Sequence, residues 1–169
     1  MVDLSLPARR HLKDKEARQL LKEFIERFPS SEARLRSVKS FEELPVEQSL
    51  IFFADGKPLI LRKQGILFPS LKFDELISGM PQVVVDMGAV AHVANGAQIM
   101  RPGVRQLKGE FAKGELVVIV DEKFGKAIAL GLAEMDSKTM KSLTKGRVIT
   151  NIHYAGDELW KSFSAQAVH

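Results

Sequence analysis

The chain has 169 residues, room for one ordinary domain or two small ones, and its 45% hydrophobic and 27% charged content is that of a folded globular protein. It contains no cysteine, which excludes a disulfide framework, a thiolate zinc site and a cysteine nucleophile. A net charge of +4 and a pI near 9.4 permit nucleic-acid binding without requiring it.

No apolar run reaches the roughly 18 residues of a membrane span, and residues 1–15 lack the apolar stretch of a secretory leader. A cytoplasmic location is expected. Ala17, Leu20, Leu21, Phe24, Ile25 and Phe28 recur at helical spacing and predict a helix from Lys15 to Phe28, capped by Asp14 and stopped by Pro29. A short second helix is expected to follow, with Ser30 or Ser31 as its cap. From Val46 the pattern turns to strands. Ser49–Ala54 and Pro58–Lys63 flank Asp55-Gly56, a pair suited to the positive φ angles of a tight hairpin turn. Gly65–Phe68 reads as a further strand, and Pro69 as the start of a helix over 70–77. Ser78–Pro81 is the expected boundary, so residues 1–79 read as a small α+β domain.

The second half is richer in strands. Gln82–Val85 is expected to run into Asp86 as cap of a helix over Met87–Ala94, stopped at Asn95-Gly96. Gln98–Met100, a Pro102-Gly103 turn and Val104–Lys108 come next. Leu116–Val120 and Lys126–Leu132 flank a turn at Asp121–Gly125. Asp136 or Ser137 caps another short helix, and Gly146 precedes a strand over Arg147–Ile152. Several short strands with small helices between them predict a closed or nearly closed barrel.

Catalytic chemistry is hard to assemble from these residues. His11, His92, His153 and His169 have no metal-ligand spacing, and His92 reads as a surface residue. Nucleotide-binding glycine loops and the GxSxG elbow are missing. The acidic pairs Glu42-Glu43, Asp74-Glu75 and Asp121-Glu122 are expected to be solvated. The reading is of a protein that is no enzyme and uses no metal or cofactor.

Binding chemistry is better represented. No acid lies between Asp86 and Glu110, a stretch holding Arg101, Arg105 and Lys108; none lies between Asp136 and Asp157, which holds Lys138, Lys141, Lys145 and Arg147. On charge alone these segments read equally as a phosphate-facing patch or as ordinary solvated side chains. The intervening loop, Gly96, Ala97, Gln98, Ile99, Met100, Arg101, Pro102 and Gly103, has small residues that let a backbone approach a ligand and a sharp turn at its end. Arg101 and Arg105 supply forked donors there, with Lys145 and Arg147 in support. Exposed amides near Gly96–Gln98 and Gly103 are expected to share the phosphate contacts. A tight helix-to-strand connection, glycine-rich for packing alone, explains the same residues equally well. His153 and Tyr154 read as packing groups, with base stacking as the alternative.

VVVDMGAVAHVANGAQIMRPGV, followed by EFAKGELVVIVDEKFGKAIALGLAEM, resembles the PUA domain of pseudouridine synthases and archaeosine transglycosylases. The shared features are a VDxGA strand-to-helix start, a GAxxMxPGV loop, a KG(D/E)xV strand and a glycine-containing hairpin, over residues 82–153. EFIERFPSSEARL, LFPSLKF and KGRVITNIHYAGDELW extend the likeness over nearly the whole chain, to the malignant T-cell amplified sequence family. The lack of cysteine suggests an archaeal-type member. The resemblance implies an N-terminal α+β domain over 1–79, a PUA-type β-pseudobarrel over 80–157 and a tail over 158–169. It implies an RNA-contacting face formed by the short helix, the Gly96–Gly103 loop and the last strand. It also implies partners: structured RNA such as tRNA or rRNA, the small ribosomal subunit and a translation-factor protein. A protein-interaction adaptor and an RNA-modification accessory protein are the other functions compatible with this reading.

Overall fold

The computed structural model describes residues 8–166. It divides into two compact units, one made of the chain up to Leu76 together with the segment from Lys161, the other of Ile77–Trp160.

The first unit holds β1 (Arg10–His11), α1 (Asp14–Arg27), a 3-10 turn (Pro29–Ser31), α2 (Glu32–Arg36), β2 (Phe41–Val46), β3 (Ser49–Ala54), β4 (Lys57–Lys63) and β5 (Ile66–Pro69). The five strands form an antiparallel meander in chain order. The apolar stripe of α1 buries Leu20 and Phe24, and the Phe24 ring stacks at 6.2 Å on that of Phe73. Helix and sheet are also clamped by a two-pronged bond from Arg62 to Glu23, at 3.0 and 2.9 Å. Asp14 lies inside α1 rather than at its cap; Lys13 is the cap residue, and its amide donates to the Glu16 carboxylate at 2.9 Å.

β2 is a full strand, paired from Phe41↔Ala54 to Val46↔Ser49. Its Glu42 and Glu43 are partly buried ion-pair partners of Arg9 and Arg10, not solvated acids. The helix expected from Pro69 is instead the end of β5, with Pro69 paired to Ile60, and only Asp74–Ile77 (α3) is helical. Ser70 lies outside that helix: its amide donates to Leu59 O at 2.9 Å and its hydroxyl donates to Pro58 O, tying the chain to β4. Buried Leu67, Phe68 and Leu71 hold it there.

The second unit contains β6 (Gln82–Val85), α4 (Met87–Val93), β7 (Ile99–Met100), a 3-10 turn (Arg101–Gly103), β8 (Val104–Lys108), β9 (Leu116–Asp121), β10 (Ala127–Ala133), α5 (Ser137–Ser142) and β11 (Arg147–Tyr154). Its six strands run in the order β7-β11-β10-β9-β6-β8, antiparallel except for the parallel pair β6–β9. The outermost strands, β7 and β8, are neighbours in the chain and joined by the single turn Arg101–Gly103. Such an arrangement requires the sheet to curl until its edges meet. The turn fastens the closure at both ends, through Arg101 N to Gly146 O at 2.8 Å and Asp86 N to Gly103 O at 2.9 Å. A PUA-type pseudobarrel results, filled by Val83, Val85, Ile99, Val117, Ile119 and Ile149.

A bulge in β10 lies at Gly131, where an added Cβ would stand 2.3 Å from Ile149 Cγ2 and 2.8 Å from Thr150 O. Only a residue without a side chain fits there. Residues 158–166, read from sequence as a tail, form α6 (Glu158–Gln166), which buries Leu159 and Phe163. From Lys161 this segment belongs with the first unit. No described helix is long and apolar enough to cross a membrane.

Candidate nucleic-acid interface

α4 begins where Asp86 Oδ1 accepts the amide of Ala89 at 2.7 Å, and the turn that follows its last residue, Val93, closes at Gly96, whose φ of +87° favours glycine. A Cβ on Gly96 would also meet the Tyr154 ring at 3.1 Å. At the other end of the loop a Cβ on Gly103 would come within 2.9 Å of Ala89 Cβ. Small residues therefore bring the helix, the loop and the closing turn together. Between α4 and the segment 97–103 they leave a cleft of about 440 Å³, lined by Gly88, Ala89, His92, Gln98, Met100 and Pro102 among others. Gly88, Ala89, Ala97 and Gly103 leave part of its wall with little or no side chain. Polymer backbone can approach such a surface closely.

The two acid-free segments meet here. Met100 pairs with Arg147 in register, next to the Arg101–Gly146 bond. Lys145 and Met100 are exposed, as is Pro102 on the rim. The remaining candidates are held otherwise than their spacing suggests. Gly96 N and Ala97 N do not point bare into the cleft; they donate at 3.0 Å to Val93 O and His92 O. Gln98 Oε1 accepts the amide of Asn151 at 2.7 Å, and Asn151 Nδ2 in turn donates to Ala97 O at 3.1 Å, so this pair staples the loop to β11.

Arginine is the larger departure. Arg101 is partly buried, with Nε donating to Met140 O at 2.9 Å and Nη1 to Val104 O at 3.1 Å. It binds α5 and β8 to the turn. Arg105 is exposed but lies 3.7 Å from Asp86 and 3.6 Å from Glu122, and Arg147 Nε bonds Glu134 at 2.8 Å. A stretch without acids can still find them on neighbouring strands. Lysine is different: among the described residues no ion pair engages Lys138, Lys141 or Lys145.

His153 is fully buried, with Nδ1 2.8 Å from Asp157 Oδ2, which settles it as a packing group. Asp157 also accepts the amides of Tyr154 at 3.1 Å and Trp160 at 2.8 Å, capping α6. Burial pushes its carboxyl up, but the His153 hydrogen bond, the His153 charge and those amides bring it below the usual aspartate range. Sequence reading missed Asn151 and two exposed apolar side chains, Met87 at the start of α4 and Phe124 on the turn between β9 and β10. For Phe124 a signal existed: a large aromatic in the middle of a charged turn, Asp121–Lys126.

Comparison with known proteins agrees with this architecture. The PUA domain model matches residues 81–155. Translation machinery-associated protein 20 of Saccharomyces cerevisiae is 37% identical over 123 residues, 69% of this chain and 67% of that protein. Malignant T-cell-amplified sequence 1 of Rattus norvegicus is 30% identical over 149 residues, 82% of this chain and 81% of the other. A crystal structure of a hypothetical protein from the hyperthermophilic archaeon Pyrococcus horikoshii superposes with a TM-score of 0.74 at 28% identity, covering 91% of this chain and 98% of that one. The curled barrel with its closing turn, the helix-to-loop cleft and these likenesses converge: the chain belongs to the malignant T-cell-amplified sequence and translation machinery-associated protein 20 family of PUA-domain proteins.

Proposed function

We propose that this protein is a non-catalytic, cytoplasmic RNA-binding factor of the translation apparatus. Its ligand is a structured RNA, such as the acceptor end of a tRNA or a segment of rRNA, met on the small ribosomal subunit beside a translation-factor partner. The observation that carries this reading is the cleft between α4 and Gly96–Gly103, walled in part by Gly88, Ala89, Ala97 and Gly103, with the exposed Lys145 next to Gly146, which the loop's Arg101 amide bonds. Sugar–phosphate backbone lies along the cleft past Met100, Pro102 and Gly103. Lys145 neutralises phosphate, and Arg105 and Arg147 add to the positive field while remaining tethered to their carboxylates. Gly96, Ala97, Gln98 and Arg101 act one step back, holding the cleft in shape. The name of the yeast relative, translation machinery-associated protein 20, supports the assignment to translation.

The test is a salt titration of tRNA binding followed by fluorescence anisotropy. Lys145→Ala is expected to weaken binding and to lower the slope of log K against log salt by about one. Pro102→Glu, which sets a carboxylate on the cleft rim, is expected to abolish it. An unchanged slope and affinity in both variants would remove the cleft from consideration. Binding that appears only once a protein partner is added would favour the adaptor role instead.

A further inference from the structure

Phe124 is 74% exposed on the turn between β9 and β10, while Met87 and Met100 are 42% and 49% exposed. These are the exposed large hydrophobic side chains among the described residues, and all three stand in the second unit. A single exposed apolar residue is ordinary. Here the setting is not. Met100 lines the cleft, and Met87 precedes Gly88 on its wall. Phe124's turn is fastened to the same wall: the Met87 amide donates to Glu122 Oε1 at 3.2 Å, and Glu122 N donates to Val85 O at 3.0 Å.

The turn is also held rigid. Asp121 is buried, 4% exposed, and its carboxylate accepts the amides of Phe124 and of Lys126, the latter at 3.0 Å. Gly125 N returns to Asp121 O at 3.1 Å. Those bonds, the one to Phe124 foremost, hold the Asp121 carboxyl below its ordinary range. An aromatic ring is thus displayed on a fixed backbone, so little conformational entropy is lost when something settles on it. Two lysines border the ring. Glu122 is taken by Arg105, leaving Lys123, whose Nζ lies 5.2 Å from the Phe124 ring centroid, and exposed Lys126.

We infer that Phe124 is a stacking platform for an unpaired nucleobase at the edge of the RNA-bearing cleft, with Lys123 and Lys126 on the adjoining phosphates. A flat π surface framed by cations fits a base and its phosphate; an apolar protein patch would not ask for the two lysines. The inference rests on the reading of the cleft as an RNA site and extends it from shape recognition of a folded RNA to capture of a single-stranded flank.

The test compares two fluorescently labelled RNAs, a blunt hairpin and the same hairpin with a four-nucleotide single-stranded extension, against the full-length protein and its Phe124→Ala and Phe124→Trp variants. Melting temperatures should be unchanged, because the ring is exposed. Phe124→Ala is expected to lose about tenfold or more in affinity for the extended hairpin and nothing for the blunt one, and Phe124→Trp to retain the preference for the extension. Equal affinities of Phe124→Ala and the parent protein for both RNAs would overturn the stacking role while leaving the cleft as the RNA site, and would turn attention to a protein ligand for Phe124. Equal weakening on both RNAs would overturn it too. If the parent protein binds neither RNA, the cleft reading itself falls, and this inference with it.

Discussion

The two units differ in what they leave exposed of their apolar side chains. In the first, Arg9, Arg10, Arg34, Arg36 and Arg62 are each paired with a glutamate of the same unit; Arg10–Glu43 ties β1 to β2 and Arg62–Glu23 ties α1 to β4. Its large apolar side chains, among the described residues, are covered or partly covered. In the second, three large apolar side chains face solvent, two of them, Met87 and Met100, on or beside the α4 cleft, with Lys145 exposed just before β11. A surface that leaves rigid apolar groups and free charge beside a concavity costs stability unless something binds it. Within the second unit a division falls between residue types: arginines brace the structure and lysines remain available.

The strongest way to break this comparison is to damage the frame. Replacing Gly131 by alanine puts a methyl group 2.3 Å from Ile149 Cγ2 and 2.8 Å from the Thr150 carbonyl, a backbone atom that cannot turn aside. A loss of about 3 kcal/mol or more is expected in denaturant unfolding, with RNA affinity falling in parallel. A stability within 1 kcal/mol of the parent, on the scale of a tolerated core swap, would mean that the barrel yields at its bulge and that the cleft is less fixed than its geometry indicates.

A sharper test separates the bracing arginine from the binding lysine. Arg101→Lys keeps the charge, but one ammonium cannot reproduce two forked bonds to Met140 O and Val104 O. A carbonyl left without its donor costs about 1–3 kcal/mol, so this substitution should lower stability by about 2 kcal/mol without altering the salt slope of RNA binding. Lys145→Ala should do the reverse. A reduced salt slope for Arg101→Lys would return that residue to the phosphate-contacting role its sequence position suggests.

These contrasts mirror what could be read from the sequence. In the second unit nearly every strand and helix was legible, because Asp86, Asp136, Gly96, Gly125 and Gly146 punctuate it with caps and positive-φ turns. In the first, β2 escaped notice because Pro45 interrupts it and its hairpin turns at Glu47, which takes a φ of 55° without being glycine or asparagine. Pro69 misled in the other direction, since as the last residue of an edge strand it ends pairing rather than opening a helix. The small residues of the cleft were legible as a place of close approach. The partners of its arginines were not. Asp86, Glu122 and Glu134 come from three separate segments, and only the closed sheet brings them beside Arg105 and Arg147.

The smallest expected effect concerns the buried pair that begins α6. Asp157→Asn preserves an oxygen to accept the Trp160 amide but removes the negative charge facing His153 Nδ1. A charge-assisted hydrogen bond exceeds a neutral one by about 1 kcal/mol, and that is the expected loss near neutral pH. The sign with acid follows from the lowered carboxyl. A group held below its ordinary range in the folded chain contributes stability that is complete above that range and is lost as the pH falls through the folded value. The parent protein should therefore lose this contribution on acidification, and Asp157→Asn, having none to lose, should show a shallower fall. Thermal melts of the two proteins from pH 7 down to pH 3 decide the matter: curves that converge as acid is added support a charged Asp157, whereas parallel curves would mean that it is neutral when folded and that His153 holds it by shape alone.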